Sequence, residues 1–199
     1  MKRHFIFDLM GVIFSEGHLI RHHLCDLTGI SHDILKPNYL KFENKQITEK
    51  QFWENCGLPE STFEELFKKV INTFDDGILD IFEVYPDSSY SIVSNIPSSW
   101  GHKLIDWVEN QTKIKFVRIL SGDVGIQKPN LDIYILVLNS LNSQVTDEVY
   151  FFDDKPENLY PVEKLSIVPV HVFNPKSKHE KENCPYLRIT CLRDFLEKN

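Results

Sequence analysis

The sequence predicts a doubly wound α/β core with an all-helical block inserted after its first strand. Short apolar runs rich in Val, Ile and Phe alternate with helical stretches along most of the chain, which is typical of buried parallel strands joined by helices. Residues 15 to about 84 interrupt this alternation, because they carry amphipathic helical patterns and no strand-like run between them. A helical subdomain beside the α/β core is therefore expected.

Five apolar runs are the predicted strands of the core. In chain order they are "HFIFDL" (4–9), "YSIVSN" (90–95), "FVRILSG" (116–122), "EVYFFDD" (148–154) and "IVPVHVF" (167–173). Helices are predicted between them, over 98–111, 130–141 and 156–165. The last of these contains Pro161 and should be brief or kinked, because proline removes a helical hydrogen bond.

The inserted block contains three amphipathic patterns. They are "GHLIRHHLCDLTG", "ITEKQFWENCG" and "PESTFEELFKKVINTF". Gly29 and Gly57 mark helix ends, and Thr48 is a candidate N-cap. These patterns divide the chain into a Rossmann-like core of residues 1–14 and 85–199 and a helical cap of residues 15–84.

The composition disfavours a nucleic-acid or membrane partner. The net charge of −7 goes with no run of Lys or Arg, and the densest basic segment, "NPKSKHEKEN" (174–183), also carries two Glu and is predicted to be a solvated loop. No stretch approaches the roughly 20 apolar residues of a membrane helix, and the apolar run near the N-terminus is too short for a signal peptide. A cytoplasmic location is expected.

The four cysteines are expected to be reduced. They show no CxxC or CxxxC spacing, so a structural zinc site that uses the eight scattered histidines is disfavoured.

Polar residues stand where the predicted strands end. Asp8 ends the first strand, Ser94 and Asn95 end the second, and Asp153 and Asp154 end the fourth. Each alone fits a turn or a helix cap. Ligands of doubly wound sheets bind beyond the carboxyl ends of the strands, however, and clustered carboxylates repel one another unless a cation lies between them.

The chemistry of this set points to a phosphate and a magnesium ion. Oxygen-only ligands favour Mg²⁺. Lys128, which follows the Gly122–Gly125 loop, adds positive charge near a serine hydroxyl, and both suit a phosphate dianion.

Four motifs, "FDLMGVI", "IVSNIP", "GIQKPN" and "FFDDKPEN", occur in the order found in the haloacid dehalogenase superfamily of hydrolases. The chain resembles that superfamily to about residue 173, and the helical block resembles its inserted cap. Within it, "FENKQITEKQFW", "LSGDVGIQKPNLDIY" and "FFDDKPENL" are similar to the subfamily that contains α-D-glucose-1-phosphate phosphatase. The resemblance implies a Mg²⁺-dependent phosphatase that acts on a small phosphorylated metabolite, with sugar phosphates as one candidate class.

The resemblance assigns the catalytic roles to three residues. Asp8 would be the nucleophile that forms an aspartyl-phosphate. Ser94 would donate a hydrogen bond to a phosphate oxygen. Lys128 would neutralise the phosphate and keep Asp8 ionised.

The resemblance also assigns the metal site and its surroundings. Asp8, Asp154 and the carbonyl of Met10 would hold Mg²⁺, and Asp153 would bind a metal-bound water. Asn158 would support this site without touching the metal. For the substrate, Asn95 would line the entrance. His18 lies close enough to the first motif in sequence to reach the substrate, although an imidazole in this His-rich segment also fits a surface position.

Met10 is a departure from the pattern. Most phosphatases of the superfamily carry a second aspartate at this position, which protonates the leaving oxygen and activates water, and a thioether does neither. Three interpretations stay open: a phosphatase that is slow or needs a good leaving group, a metal-independent 2-haloacid dehalogenase, and a catalytically impaired protein that binds a phosphorylated ligand or a protein partner. Dehalogenases lack the acidic pair that Asp153 and Asp154 form here. The substrate and the oligomeric state are not readable from the sequence.

Overall fold

The computed structural model describes residues 2–141, 147–173 and 184–198. They form a parallel sheet of six strands in the order β3-β2-β1-β4-β5-β6. The strands are β1 (Arg3–Phe7), β2 (Ser89–Ser94), β3 (Val117–Leu120), β4 (Glu148–Asp153), β5 (Val168–Val172) and β6 (Leu187–Ile189). All five predicted strands are confirmed, and β6 is an addition.

The strand order reverses at β1. The chain moves outward from β1 through β2 to β3, returns to pair β4 with the other side of β1, and continues outward through β5 to β6. Phe7 at the end of β1 pairs with Ile92 of β2 and with Phe152 of β4. In doubly wound folds the crevice for ligands opens where the order reverses, which here is the carboxyl edge of β1 and β4.

Alternation along β1 fills both faces of the sheet. Phe5 and Phe7 belong to one apolar cluster, and Ile6 belongs to a second cluster on the opposite face. All three side chains are fully buried, so β1 is a central strand covered on both sides, as its uninterrupted apolar sequence predicts.

Helices of the core cover these faces. They are α6 (Ser98–Thr112), α7 (Ser121–Val124), α8 (Leu131–Leu141), α9 (Pro156–Leu159), a 3₁₀-helix (Val162–Leu165) and α10 (Asp194–Lys198). The helix predicted over 156–165 is broken into α9 and the 3₁₀-helix, with Pro161 between them, as expected for an internal proline.

Residues 15–84 are all described and contribute no strand to the sheet. They form a π-helix (Leu19–Leu24), α1 (Cys25–Thr28), α2 (His32–Glu43), α3 (Glu49–Asn55), α4 (Thr62–Ile71) and α5 (Gly77–Val84). Thr48 caps α3 as predicted: its hydroxyl accepts a hydrogen bond from the Gln51 amide, and the Gln51 side chain accepts one from the Thr48 amide.

Two backbone hydrogen bonds close the inserted segment at its base. The Ser15 amide donates to the Thr73 carbonyl at 2.8 Å, and the Asp75 amide donates to the Ile13 carbonyl at 2.9 Å. We propose that the cap spans residues 16–72. Helix α5, which the sequence-based boundary at residue 84 places in the cap, would then belong to the core, where its Phe82 ring lies 4.5 Å from that of Tyr90.

The cap packs on the core through Trp100 of α6, a side chain that is 1% exposed. Its indole is surrounded by five aromatic rings of the cap, with centroid distances of 5.1–5.9 Å. They belong to Tyr39, Phe42, Phe52, Trp53 and Phe63. The Trp100 Nε1–H donates to Glu49 at 2.7 Å. We refer to these six rings as the aromatic joint.

Other sequence-based expectations have mixed outcomes. The four cysteines are free in the structure. None of the described helices is long and apolar enough to cross a membrane. The segment 174–183, predicted to be a solvated loop, lies outside the described residues.

Candidate active site

The pairing of β1 with β4 brings three carboxylates together. The Asp8 amide donates to the Phe152 carbonyl at 2.9 Å, which places Asp8 beside the end of β4, where Asp153 and Asp154 follow. One oxygen from each of the three side chains lies within 4.8 Å of the others. The convergence that the strand ends predict is therefore present in the structure.

Lys128 lies between two of these acids. Its ammonium is 2.9 Å from Asp8 and 2.7 Å from Asp153. Asn95 fixes the lysine backbone, because its side chain accepts from the Lys128 amide at 2.8 Å and donates to the Lys128 carbonyl at 3.0 Å. Burial opposes the charge of Lys128, but Asp153 and Asp8 outweigh it and raise the pKa of the lysine.

Asp153 is held on both carboxylate oxygens. One oxygen accepts from Lys128, and the other accepts from the Asn158 side chain and the Lys155 amide, each at 2.9 Å. Tyr134 in turn donates to the Asn158 carbonyl at 2.8 Å. Asp153 and Asn158 thus position Lys128 against Asp8, and the predicted contact of Asp153 with a metal-bound water stays a prediction.

Asp154 differs from its neighbours, because its carboxylate oxygens are buried without a hydrogen-bond partner among the described residues. Burial raises the pKa of this carboxyl well above its usual range; Lys155 opposes that effect, and Asp153 and Asp8 add to it. A buried carboxylate of this kind is costly unless a cation pairs with it. Three converging acids that carry one unsatisfied carboxylate fit a divalent cation with oxygen ligands.

Two glycines make room for the Asp154 carboxylate. A Cβ atom on Gly11 would lie 2.5 Å from Asp154 Cγ, and one on Gly17 would lie 2.5 Å from Asp154 Oδ2. Gly11 also has φ of +87°, a conformation that side chains rarely adopt. The first motif and the start of the cap are therefore shaped around this acid, and sequence reasoning assigned no role to either glycine.

A cleft of about 280 Å³ opens over these acids, between the core and the cap. Most of the predicted site residues line it, and Asp153 and Asp154 lie buried behind its surface. The predicted residues in its wall are Asp8, Met10, His18, Ser94, Asn95, Lys128 and Asn158. Met10 is 8% exposed and Ser94 is 2% exposed.

Seven further polar side chains that sequence reasoning did not single out line the same cleft. From the cap these are Arg21, His32, Lys36, Tyr39 and Glu43, and from the core Gln127 and Lys155. Lys155 directly follows Asp154 in the sequence, and this adjacency could have identified it as a site residue. Burial opposes the charge of Lys155, but Asp154, Asp8 and Asp153 outweigh it and raise its pKa. The cap residues carried no signal, because a helical pattern does not show which polar side chain faces a cleft.

The aromatic pair in α3 belongs to the joint. Phe52 and Trp53 are at most 1% exposed, as expected for cap core, and neither lines the cleft.

Solved structures with the same fold include enzymes of more than one kind. A HAD phosphatase from Thermococcus onnurineus is 18% identical with a TM-score of 0.65, over 100% of this chain and 97% of that one. A Bacillus subtilis protein described as a HAD hydrolase bound to magnesium is 16% identical (TM-score 0.64, 99% and 98% covered). The L-2-haloacid dehalogenase from Xanthobacter autotrophicus, with chloropropionic acid covalently bound, is 12% identical (0.61, 99% and 98%).

No protein-family model and no curated protein sequence matches the chain. The structural similarity shows the fold, and it agrees with the order of the four motifs. The chain has the Rossmann-like α/β fold of the haloacid dehalogenase (HAD) superfamily, with a helical cap inserted after β1.

Proposed function

We propose that this chain is a Mg²⁺-dependent phosphatase that acts on a small phosphorylated metabolite through an aspartyl-phosphate at Asp8. The observation that carries the proposal is the pairing of Asp8 with Lys128 beside the unsatisfied carboxylate of Asp154, at the floor of a cleft. A nucleophilic carboxylate, a fixed cation and room for a divalent metal are the parts that phosphoryl transfer needs.

The donor set fits magnesium. The carboxylates of Asp8 and Asp154 and the carbonyl of Met10 would hold the ion. When bound, Mg²⁺ would supply positive charge that neutralises the phosphoryl oxygens. The magnesium in the Bacillus subtilis neighbour supports this assignment. The carboxyl pair at the end of β4 favours it over a metal-independent dehalogenase.

The proposed reaction has two displacements at phosphorus. In the first, a carboxylate oxygen of Asp8 forms a bond to phosphorus while the ester P–O bond breaks, and the leaving alkoxide takes a proton from water. In the second, the oxygen of a water molecule forms a bond to phosphorus while the P–O bond to Asp8 breaks, which releases inorganic phosphate and restores the Asp8 carboxylate. The proton lost by the attacking water neutralises the hydroxide that the first displacement leaves. The ammonium of Lys128 balances negative charge throughout, and the Ser94 hydroxyl donates to a phosphoryl oxygen.

Met10 limits the first displacement. General acid–base assistance is typically worth ~10²–10⁴-fold, and a thioether provides none. Glu43, the buried acid in the cap wall, accepts hydrogen bonds from Ser121 at 2.7 Å and Gln127 at 2.9 Å, which hold it against the core side of the cleft. The preferred substrates should therefore have good leaving groups, such as anomeric or acyl phosphates. The subfamily resemblance to glucose-1-phosphate phosphatase agrees with an anomeric phosphate.

Met10 also favours a second candidate function. A site that keeps its phosphate-binding groups but lacks the acid–base residue suits binding without turnover. The protein would then hold a phosphorylated ligand or a phosphorylated partner in the cleft.

Hydrolysis of p-nitrophenyl phosphate with Mg²⁺ and with EDTA distinguishes these functions. We expect Mg²⁺-dependent turnover that Asp8→Asn lowers by at least about 10³-fold, because the substitution removes the nucleophile. Asp26→Asn, at an exposed position of α1, is the matched control and should keep full activity. Halide release from a 2-haloacid without metal would favour a dehalogenase, and phosphate-analogue binding without turnover would favour the second candidate.

Met10→Asp tests whether the missing acid limits turnover. The new carboxylate would stand two residues after Asp8, where related enzymes carry one. We expect hydrolysis of simple alkyl phosphates to rise by about one to two orders of magnitude, less than the full ~10²–10⁴ because the methionine pocket is not built for a charge. Activated aryl esters should gain less. A folded, Mg²⁺-binding variant that is no faster than the parent on any phosphate would show that Met10 does not limit catalysis.

A further inference from the structure

Two cations in the cap wall of the cleft lack an anionic partner. Arg21 belongs to the π-helix and Lys36 to α2, and both line the cleft above Asp8. Within the described part of the chain, neither side chain has a carboxylate within the 4.0 Å of an ion pair. Lys128 at the floor of the cleft differs in this respect, because it is paired with two acids.

The surroundings of Lys36 show an unbalanced charge. Its ammonium lies 5.2 Å from the centre of the Tyr39 ring. Burial lowers the pKa of Lys36, Glu43 opposes that effect, and Lys155 adds to it. The carboxylate of Glu43 is nevertheless bonded to Ser121 and Gln127 of the core, so it does not form an ion pair with Lys36. A half-buried ammonium of this kind is costly unless a ligand brings an anion to it.

We propose that Arg21 and Lys36 bind a second anionic group of the substrate, at the end of the molecule away from the phosphoryl group. This inference rests on the proposed function, since it takes the phosphoryl group to occupy the Asp8 end of the cleft. The substrate class is then a phosphate monoester that also carries a carboxylate or a second phosphate. The cleft of about 280 Å³ lies at the small end of ligand sites, so the two anions are separated by only a few carbon atoms.

A matched pair of non-hydrolysable ligands tests the second anion without turnover. 3-Phosphonopropionate and 3-hydroxypropylphosphonate have the same length and differ in a terminal carboxylate against a hydroxyl. We expect calorimetry in Mg²⁺ to show at least tenfold tighter binding of the carboxylate ligand by the wild-type protein. Propane-1,3-bisphosphonate, measured beside them, distinguishes a second phosphate from a carboxylate as the preferred anion.

Substitutions in the cap wall locate the effect. Lys36→Met and Arg21→Met should each reduce the preference for the second anion by about three- to tenfold, while binding of 3-hydroxypropylphosphonate changes little. Lys41→Met is the matched control, because Lys41 is exposed on the same helix and does not line the cleft. It removes the same charge and should leave the preference unchanged.

The outcomes separate this inference from the proposed function. Equal binding of all three ligands by the wild type, or equal effects of Lys36→Met and Lys41→Met, would overturn the second-anion site while leaving a phosphatase possible. Failure to bind any phosphonate would overturn both. A preserved anion preference in a protein that hydrolyses no phosphate would support the site and assign the chain to binding without turnover.

Discussion

The cap meets the core in two regions of opposite character. The aromatic joint is dry: Trp100, Phe52 and Trp53 are each at most 1% exposed, and the six rings pack mainly on one another, although Glu49 accepts from the Trp100 indole and Lys36 lies over the Tyr39 ring. The cleft, in contrast, buries charges. Five ionisable side chains in or directly behind its wall are at most 5% exposed, namely Asp8, Glu43, Lys128, Asp153 and Asp154.

The two regions make opposite contributions to stability. Burying an indole removes about 200 Å² of mostly apolar surface from water, which is worth about 5 kcal/mol at the usual coefficient. A buried carboxylate without a partner, such as that of Asp154, costs about 1–3 kcal/mol or more. The stability that the joint contributes therefore offsets the cost of the buried charges in the cleft. Such a local cost at a functional site is common in proteins.

The joint also fixes the geometry of the cleft. Tyr39 belongs to both regions, because its ring lies 5.9 Å from that of Trp100 and it lines the cleft as well. Lys36 and Glu43 are on the same helix, α2. Packing around Trp100 thus holds the cap wall at a set distance from Asp8.

Trp100→Ala should give the largest effect on stability. Removing a fully buried tryptophan typically costs about 3–5 kcal/mol of unfolding free energy, and here it also loses the hydrogen bond to Glu49. Urea denaturation followed by circular dichroism measures this change. Because the joint positions α2, the preference of the cleft for a second anion should fall in the same variant.

Trp107→Ala on the same helix is the control for Trp100→Ala. Trp107 is only partly buried and packs on Phe14 and Phe74 at the base of the cap. It should cost less stability and leave ligand preference unchanged. A loss of unfolding free energy below about 1 kcal/mol for Trp100→Ala would contradict the description of a dry joint, because removing a buried tryptophan from a close-packed cluster typically costs about 3–5 kcal/mol.

Asp154→Asn should raise stability in the absence of metal, whereas Trp100→Ala lowers it. Without metal, the substitution replaces an unsatisfied buried carboxylate by a neutral amide of similar size, and the unfolding free energy should rise by about 1–3 kcal/mol. The same variant should lose Mg²⁺-dependent activity and any stabilisation by Mg²⁺. Thermal unfolding in EDTA and in excess Mg²⁺ measures both effects.

Asp194→Asn supplies the contrast for Asp154→Asn. Asp194 accepts hydrogen bonds from the Thr190 hydroxyl and amide, and these bonds lower its pKa. Its neutralisation should therefore destabilise the fold. An Asp154→Asn variant that is also destabilised without metal, or that keeps full Mg²⁺-dependent activity, would show that Asp154 is not a strained metal ligand.

Predictability from sequence follows the same division between dry and charged regions. The core strands were predictable because strands buried on both faces read as continuous apolar runs. Strand β6 was not, since Leu187–Ile189 is only three residues long. Helix α2 escaped prediction because Pro37 lies inside it, and an internal proline normally argues against a helix.

The site was predictable where it depends on strand ends and motifs. Asp8 and Asp153 meet because β1 and β4 are neighbours, and Lys128 contacts both from a loop that Asn95, directly after β2, holds in place. The cap wall was not predictable, because an amphipathic pattern identifies the apolar face of a helix but not which polar residue faces a cleft. The need for Gly11 beside Asp154 depends on a contact between distant segments, which a single sequence does not show.

His23→Gln should have the smallest effect on stability. It tests whether the interior of the cap excludes a charged group. His23 is 2% exposed in the π-helix. Burial lowers its pKa from the usual 6.5, Glu16 opposes that effect, and His22 and Lys69 add to it. Because the unfolded chain binds a proton below about pH 6.5 and the folded state resists it, this residue makes stability fall as the pH drops.

The measurement for His23→Gln is the unfolding free energy at pH 7.5 and at pH 5.5. Each unit by which the native pKa is lowered corresponds to about 1.4 kcal/mol, and only part of that is expressed by pH 5.5. We expect the loss of stability between the two pH values to be about 1 kcal/mol smaller in the variant than in the wild type, whatever the other groups contribute to both. Equal losses would mean that His23 accepts its proton in the folded state, with Glu16, whose carboxylate is 3.7 Å away, closing onto it. The cap interior would then accommodate a buried charge, as the cleft does. The dry region would be limited to the rings around Trp100.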